Sequence, residues 1–384
     1  DGTKRTHRWI ERLLFDQEAN PMEYQSIGID ITERVWEEEL LTTRLRYEEG
    51  LALTTKVLLE ENDAENTMSQ ALKYLLDVSN ASRVYIFENF EDPEEGLCTR
   101  QTYEVCAPGI KSQINNPFLK HVPYKIGFTR WQKILSKGEP IMGLVETFPP
   151  MERYGLESQD IKSILVLPFT VSGKWYGFVG FDDTKTPRVW NEEDIRLLRL
   201  AAELIGSYFE RKKMEENMHE LATRDGLTGI FNRRYYFELA EKELARAKRY
   251  KRAVSIILFD VDHFKVINDS YGHAAGDEVL KELTKISLEQ IRDNDFIGRI
   301  GGEEFAITLA ETELEGAVHV AERLRKSVES ARIQIPGGTV STTISIGVAE
   351  WTNEEELTKL LARSDKMLYV AKNSGRNCVI SHIP

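Results

Sequence analysis

The sequence predicts an α+β chain of several domains, and three observations carry that expectation. Its 384 residues suffice for two or three domains, each large enough to bury a core. Apolar strand-like runs meet across short turns in two places: residues 164–169 and 175–182 flank Ser172-Gly173-Lys174, and residues 296–300 and 305–309 flank Gly301-Gly302. Between them lie helical patterns such as Met68, Ala71, Leu72, Leu75 and Leu76, whose spacing places them on one helix face.

Composition narrows the function classes. With 50 Lys and Arg against 63 Asp and Glu, the formal charge is -13, which argues against a nucleic-acid partner or a membrane-surface protein. A local basic pocket for a phosphorylated small molecule is compatible with it. Cys98, Cys106 and Cys378 are too scattered for a disulfide framework or a zinc site, so a reducing, cytoplasmic setting is expected. No apolar run reaches the ~18 residues needed to span a bilayer. A chain that starts at Asp1 rather than Met reads as a fragment, and any upstream membrane segment would lie outside it.

In order, residues 1–36 alternate in strand fashion around Asn20-Pro21 and end in Asp30-Ile31-Thr32-Glu33-Arg34. This resembles the last strands of a PAS domain passing into its output helix. Too little of such a domain is present to imply a cofactor. Residues 37–60 lack Pro and space Leu41, Leu51 and Leu58 along one face, as a connecting helix or a solvated surface helix would.

Residues 61–208 form a mixed module. After the first helix comes a strand over residues 83–87, a loop-rich middle, the hairpin, and Trp190-Asn191-Glu192-Glu193-Asp194, where Asn191 is a candidate N-cap. This order resembles a GAF domain with an antiparallel sheet, which implies a sensor fold and an unknown ligand. Thr99 and Ala107 follow the two cysteines where a bilin-attaching cysteine is followed by His, which disfavours a photoreceptor. His121 taken alone is a possible ligand or a surface residue. The helix continues through residues 209–222 with Leu200, Leu204, Met214, Met218 and Leu221 on a seam of roughly seven-residue period, either a dimerising stalk or a face packed on its own domain.

From Thr223 the chemistry becomes dense. The apolar run of residues 255–259 reads as a buried strand that ends in Asp260-Val261-Asp262. A carboxylate there either caps the strand end or meets a divalent cation. A lysine- and glycine-bearing stretch follows, His263-Phe264-Lys265 through Gly272-His273, then a helix with Val279, Leu280, Leu283 and Ile286 on one face. Those are ingredients for holding a metal-bound polyphosphate. In the later hairpin the glycines allow positive φ and close approach of a ligand, and Glu303 and Glu304, adjacent on a strand, point to opposite faces. A solvated hairpin would show the same pattern.

Residues 223–384 resemble a GGDEF domain of the diguanylate cyclase family. Asp225-Gly226-Leu227-Thr228-Gly229, Phe259-Asp260-Val261-Asp262, Gly272-His273-Ala274-Ala275-Gly276-Asp277 and Gly301-Gly302-Glu303-Glu304-Phe305 carry the resemblance in family order. It implies a nucleotide-cyclase or palm-like fold around a mainly antiparallel sheet, and condensation of two GTP into cyclic di-GMP by a homodimer. By matching position, Asp260, the Val261 carbonyl and Glu303 would bind Mg²⁺ or Mn²⁺, with Glu304 at the same catalytic edge. Asn268 and Asp277 would read guanine; Lys265, His263, Phe264, Lys372 and Arg376 would contact phosphates. Arg292 and Asp295, with Arg246 and Arg323, match relatives that bind their own product at an inhibitory site; an exposed charge pair is the alternative. A catalytically silent GTP- or cyclic di-GMP-binding module is the rival to the enzyme.

Overall fold

The computed structural model describes residues 5–15, 21–60, 64–352 and 355–382. The chain folds as two compact units, Asp1–Lys213 and Met214–Pro384. Among the described residues no helix is long and apolar enough to cross a membrane.

The first unit opens on an antiparallel pair, His7–Phe15 with Pro21–Asp30, in which His7 lies opposite Asp30. The expected turn lies outside the described residues as far as Asn20. Asp30 Oδ1 accepts from the Thr32 amide at 3.0 Å and the Thr32 hydroxyl at 2.6 Å, so the strand end itself starts the helix Thr32–Leu59. This helix is not simply a connector. Its second half buries Tyr47, Thr54 and Leu58, whereas Leu41 is 59% exposed. The expected face through Leu41, Leu51 and Leu58 fails at Leu41, because only the half beside the helix Ala64–Ser79 finds apolar surface to cover.

Six strands follow in the spatial order Val122–Pro123, Gly96–Cys106, Arg83–Asp92, Lys174–Asp183, Ser163–Val171 and Ile141–Leu144. All neighbouring pairs are antiparallel. Ser172 and Gly173 both take positive φ, 51° and 72°, the geometry that lets a tight turn match strand twist. Alternation then sorts the side chains. Val84, Ile86, Leu165, Leu167, Val179 and Phe181 face the helices Ala64–Ser79 and Glu192–Thr223. Tyr85, Phe87, Ile164, Val166 and Phe178 face a second cluster with Tyr124, Trp131 and Leu135. The long helix is capped as its sequence demands, with Asn191 Oδ1 accepting from the Asp194 amide at 2.8 Å.

The ion pair of Arg83 with Asp182 is fully enclosed in this unit. Arg83 Nη2 lies 2.9 Å from Asp182 Oδ2, with side chains 2% and 1% exposed, and Arg83 also donates to the Gln159 carbonyl at 3.1 Å. Removing one partner strands the other without water. Arg83→Met is therefore expected to lower unfolding free energy by about 3–5 kcal/mol, read from urea denaturation. A loss under about 1 kcal/mol would show that Asp182 finds other compensation.

In the second unit the sheet order is Val379–Ile380, Ile344–Glu350, Val254–Val261, Glu304–Ala310, Phe296–Arg299 and Phe231–Asn232. The four central strands are antiparallel and the two short outer strands pair in parallel. All eight residues of Val254–Val261 are buried, because both faces of this strand are covered. Ile257, Phe259 and Val261 pack with Val279, Leu283, Ala321 and Leu324; Val254, Ile256 and Leu258 pack with Tyr236, Leu244 and Leu360. That double cover explains the continuous apolar run, and it leaves only the strand's end available for chemistry.

Candidate functional site

The central strand delivers Asp260 to one end of the sheet, where it lies opposite Glu304 on one neighbour and Ser345 on the other. The Val261 amide donates to the Glu303 carbonyl at 3.4 Å, so register alone sets Asp260, Val261, Glu303 and Glu304 at one edge. The connecting loop differs from a two-residue Gly-Gly turn. Ile300 and Gly301 both donate to the Glu304 carbonyl, at 2.9 and 3.2 Å, and Glu304 opens the next strand while Glu303 stays in the loop. Neither glycine has positive φ. Gly301 instead leaves room for the Glu304 side chain: a Cβ there would lie 2.4 Å from Glu304 Oε2 and push the carboxylate aside, whereas one at Gly302 would meet nothing.

Residues outside the expected set brace this loop. Arg299 donates through Nε and Nη2 to the Gly302 carbonyl at 3.0 and 2.6 Å, and through Nη1 to Asp225 Oδ1 at 3.1 Å. Asp225 Oδ1 also accepts from the Thr228 amide and hydroxyl at 3.0 and 2.7 Å. Burial pushes the Asp225 carboxyl up, but these bonds from Thr228 and Arg299 outweigh it and hold the group below its ordinary value.

Asp260 is 6% exposed, and Lys372 Nζ lies 2.8 Å from its Oδ2. The carboxyl is raised to about 6 in all: burial pushes it up most, Lys372 pulls it back, and the charges of Glu303 and Glu304 push it up again. The charges of Glu303 and Glu304 thus act on Asp260 against the lysine. Lys372, expected to face phosphate, and Asp260, expected to face metal, hold each other here. Among the described residues, the side-chain oxygens of Asp260, Glu303 and Glu304 are not gathered within 4.8 Å of one another.

Asp262, two residues on, has a different task. It is 4% exposed, accepts from Ser345 Oγ and Thr343 Oγ1 at 2.6 Å each, and takes the Asn377 amide at 3.0 Å. Asn377 further links Arg325 at 2.8 Å and Glu329 at 2.7 Å. Arg376, exposed and at φ 65°, is displayed on the loop that these bonds anchor.

On the far side of the strand end, His263 is exposed with φ 56° and begins the helix Phe264–Tyr271, in which Phe264 is buried and Lys265 exposed. The Asn268 carbonyl accepts from the Gly272 amide at 2.8 Å. The Asn268 side chain approaches Gly276 so closely that a Cβ there would fall 2.0 Å from its Oδ1. Glycine at 276 therefore brings Asn268 up against the helix His273–Gln290, where exposed Asp277 is the next residue.

The Arg292 to Asp295 segment is a built turn. Asp295 donates its amide to the Arg292 carbonyl at 2.9 Å and accepts the Arg292 and Ala310 amides at 3.0 Å each, so both carboxylate oxygens hold backbone. Arg292 is exposed. Arg323 donates to Gln290 Oε1 at 2.8 Å, and Arg246 lies 3.5 Å from Glu243.

Residues 222–378 match the family described as diguanylate cyclase, GGDEF domain, and residues 61–210 match the GAF domain family. Diguanylate cyclase A of Treponema denticola is 43% identical over 164 residues, 42% of this chain and 44% of that protein. Diguanylate cyclase DgcM of Escherichia coli is 41% identical over 176 residues, 45% of this chain and 41% of that protein. The chain therefore spans less than half the length of these relatives. A solved structure titled as the GGDEF domain of DgcB from Caulobacter crescentus in complex with c-di-GMP is 30% identical, covering 42% of this chain and 93% of that one with a TM-score of 0.41.

Proposed function

We propose that this chain, which carries a GAF domain over residues 61–210 and a GGDEF domain over residues 222–378, is a sensor-regulated diguanylate cyclase. It would condense two GTP into cyclic di-GMP and two pyrophosphates. The observation that carries the reading is the register placing Asp260 opposite Glu304, with Glu303 in the adjoining loop and Lys372 on the Asp260 carboxylate.

A divalent cation suits this donor set. Asp260 already takes a cationic partner, and the carboxylates of Glu303 and Glu304 act on it from the same edge. Asp260, the Val261 carbonyl and Glu303 would hold Mg²⁺ or Mn²⁺. The ion supplies neutralisation of the triphosphate and a lower pKa for the attacking ribose 3′-hydroxyl.

The chain's own residues do the positioning. Asp277 accepts the paired N–H donors on the guanine edge, where adenine presents a ring acceptor instead, and Asn268 completes that contact. Lys265, Arg376 and the backbone at His263 and Phe264 hold phosphate oxygens. Lys372 exchanges Asp260 for phosphate as substrate enters, so the buried carboxylate keeps a cationic partner until then. Gly276→Ala is expected to displace Asn268 and raise KM for GTP about 10-fold or more while the fold is retained, in steady-state kinetics. An unchanged KM would remove Asn268 from guanine recognition.

One such site holds one GTP, and the product is two-fold symmetric, so two copies must face each other. Met214, Met218 and Leu221, 57%, 67% and 79% exposed on the helix Glu192–Thr223, offer the apolar seam for that pairing. The reading is tested by following pyrophosphate release from GTP and Mg²⁺ over a dilution series. The rate per chain should fall as the chain dissociates; a rate independent of concentration in a demonstrated monomer would contradict it.

Product inhibition follows from the same reading, with the exposed Arg292 fork meeting a guanine edge or phosphate and Asp295 holding the turn that presents it. Arg323 and Arg246 would add contacts. Arg292→Ala is expected to relieve inhibition by added cyclic di-GMP at least about 10-fold in inhibitor concentration, with uninhibited turnover unchanged. Inhibition equal to that of the parent chain would exclude this site.

A further inference from the structure

Across the first unit, one cluster brings metal-ligating side chains together without any part in the site above. Glu95, in the turn between Arg83–Asp92 and Gly96–Cys106, Cys98 on the second of these strands, and His121 just before Val122–Pro123 place their ligand atoms within 4.8 Å of one another. They converge on one atom, His121 Nε2, which lies 2.8 Å from Glu95 Oε2 and 3.7 Å from Cys98 Sγ. Asp92 Oδ2 is 3.8 Å from the same nitrogen.

The surrounding bonds build the arrangement. Asp92 Oδ1 accepts the Glu94 and Glu95 amides at 2.9 Å each, which fixes the turn and leaves Oδ2 toward the histidine. Strand pairing sets Cys98 opposite Pro123 and Thr99 opposite Val122, bringing the His121 segment onto the strand that carries the thiol. The Phe90 ring meets the imidazole edge-on at 5.3 Å. Cys98 is fully buried, while His121 and Glu95 are 43% and 34% exposed at their side chains, so a cation could enter from one side.

We propose that Glu95, Cys98 and His121, with Asp92 as the fourth ligand, form a Zn²⁺ site in the GAF domain. A mixed sulfur, nitrogen and oxygen set suits Zn²⁺; Mg²⁺ and Ca²⁺ take all-oxygen sets. In a tetrahedral Zn²⁺ site with bonds of about 2.0–2.3 Å, neighbouring ligand atoms lie roughly 3–4 Å apart. Cys98 Sγ, 3.7 Å from Nε2, already falls in that span; the Glu95 carboxylate at 2.8 Å must yield, and Asp92, 3.8 Å from Nε2 but outside the group gathered within 4.8 Å, must move in to complete the tetrahedron. Bound Zn²⁺ would tie the hairpin end to the segment over residues 121–123, giving this domain an inorganic ligand.

The test is Zn²⁺ titration of the full chain with saturating Mg²⁺ present, against a chromophoric chelator, with Co²⁺ as a spectroscopic probe of sulfur ligation. One equivalent of Zn²⁺ should bind, and Co²⁺ should give a thiolate charge-transfer band. Cys98→Ser should abolish the band and weaken Zn²⁺ at least about 10-fold; His121→Ala, at a half-exposed position, should weaken it similarly with circular dichroism unchanged. A Cys106→Ser and Cys378→Ser double variant should keep both signals. Absence of Zn²⁺ binding by the parent chain, a band that survives Cys98→Ser, or affinity unchanged in a folded His121→Ala chain would overturn the assignment.

Discussion

Glu303→Gln is expected to lower cyclic di-GMP formation at least about 10³-fold, the equivalent of about 4 kcal/mol of transition-state stabilisation, while circular dichroism and melting temperature stay at parent values. The side chain sits in the loop that Arg299 and Asp225 brace from the other side, so removing its charge leaves the loop's bonds intact. Asp260→Asn should cost as much activity, and it should also change how stability depends on pH. The folded carboxyl titrates at about 6, above its ordinary 3.8, because burial disfavours the ionised form. The folded state therefore binds the proton more tightly than the unfolded chain. That stability is fully present below about pH 4 and is lost as pH rises through about 6. With chelator present, the parent chain should lose on the order of 1 kcal/mol across this window that Asp260→Asn does not lose. Residual turnover within about 10-fold of the parent in either variant would remove that carboxylate from the chemistry.

Asp262→Ala is expected to cost about 3–5 kcal/mol of unfolding free energy and to reduce turnover with it. Three donors, the Ser345 and Thr343 hydroxyls and the Asn377 amide, lose their acceptor at once, and Ser345 is completely buried. Asp262→Asn should cost less, since the amide oxygen still accepts. The parent fold stabilised by GTP and Mg²⁺ should recover part of the difference, because ligand binding stabilises only the folded state. A melting temperature within about 2 °C of the parent for Asp262→Ala would mean that water satisfies these donors.

These two aspartates show where the sequence was legible and where it was not. The strand between Val254 and Val261, the hairpin at Ser172-Gly173 and the cap at Asn191 follow from local pattern, and the structure has each of them. The GAF and GGDEF resemblances, resting on several motifs in order, agree with the family matches over residues 61–210 and 222–378. Asp260 and Asp262 look alike in the motif; what separates them is that Asp262 meets two hydroxyls and an amide from residues 343–377, while Asp260 meets a lysine from the last helix. No spacing encodes those partners. The loop glycines were legible as a turn but not in their role, because the clash that Gly301 avoids is with Glu304's own side chain. Cys98 and His121, each unremarkable alone, acquire meaning only through the pairing of Cys98 with Pro123.

The claim that this edge of the sheet is half of a cyclase site meets its most direct test in the product itself. The purified chain is incubated with GTP and Mg²⁺, and the nucleotide pool is resolved by chromatography and mass spectrometry. Cyclic di-GMP and pyrophosphate should accumulate in a ratio of about one to two, and Glu303→Gln should abolish both. A dimer that binds GTP and returns it unchanged would instead make the domain a silent nucleotide-binding module.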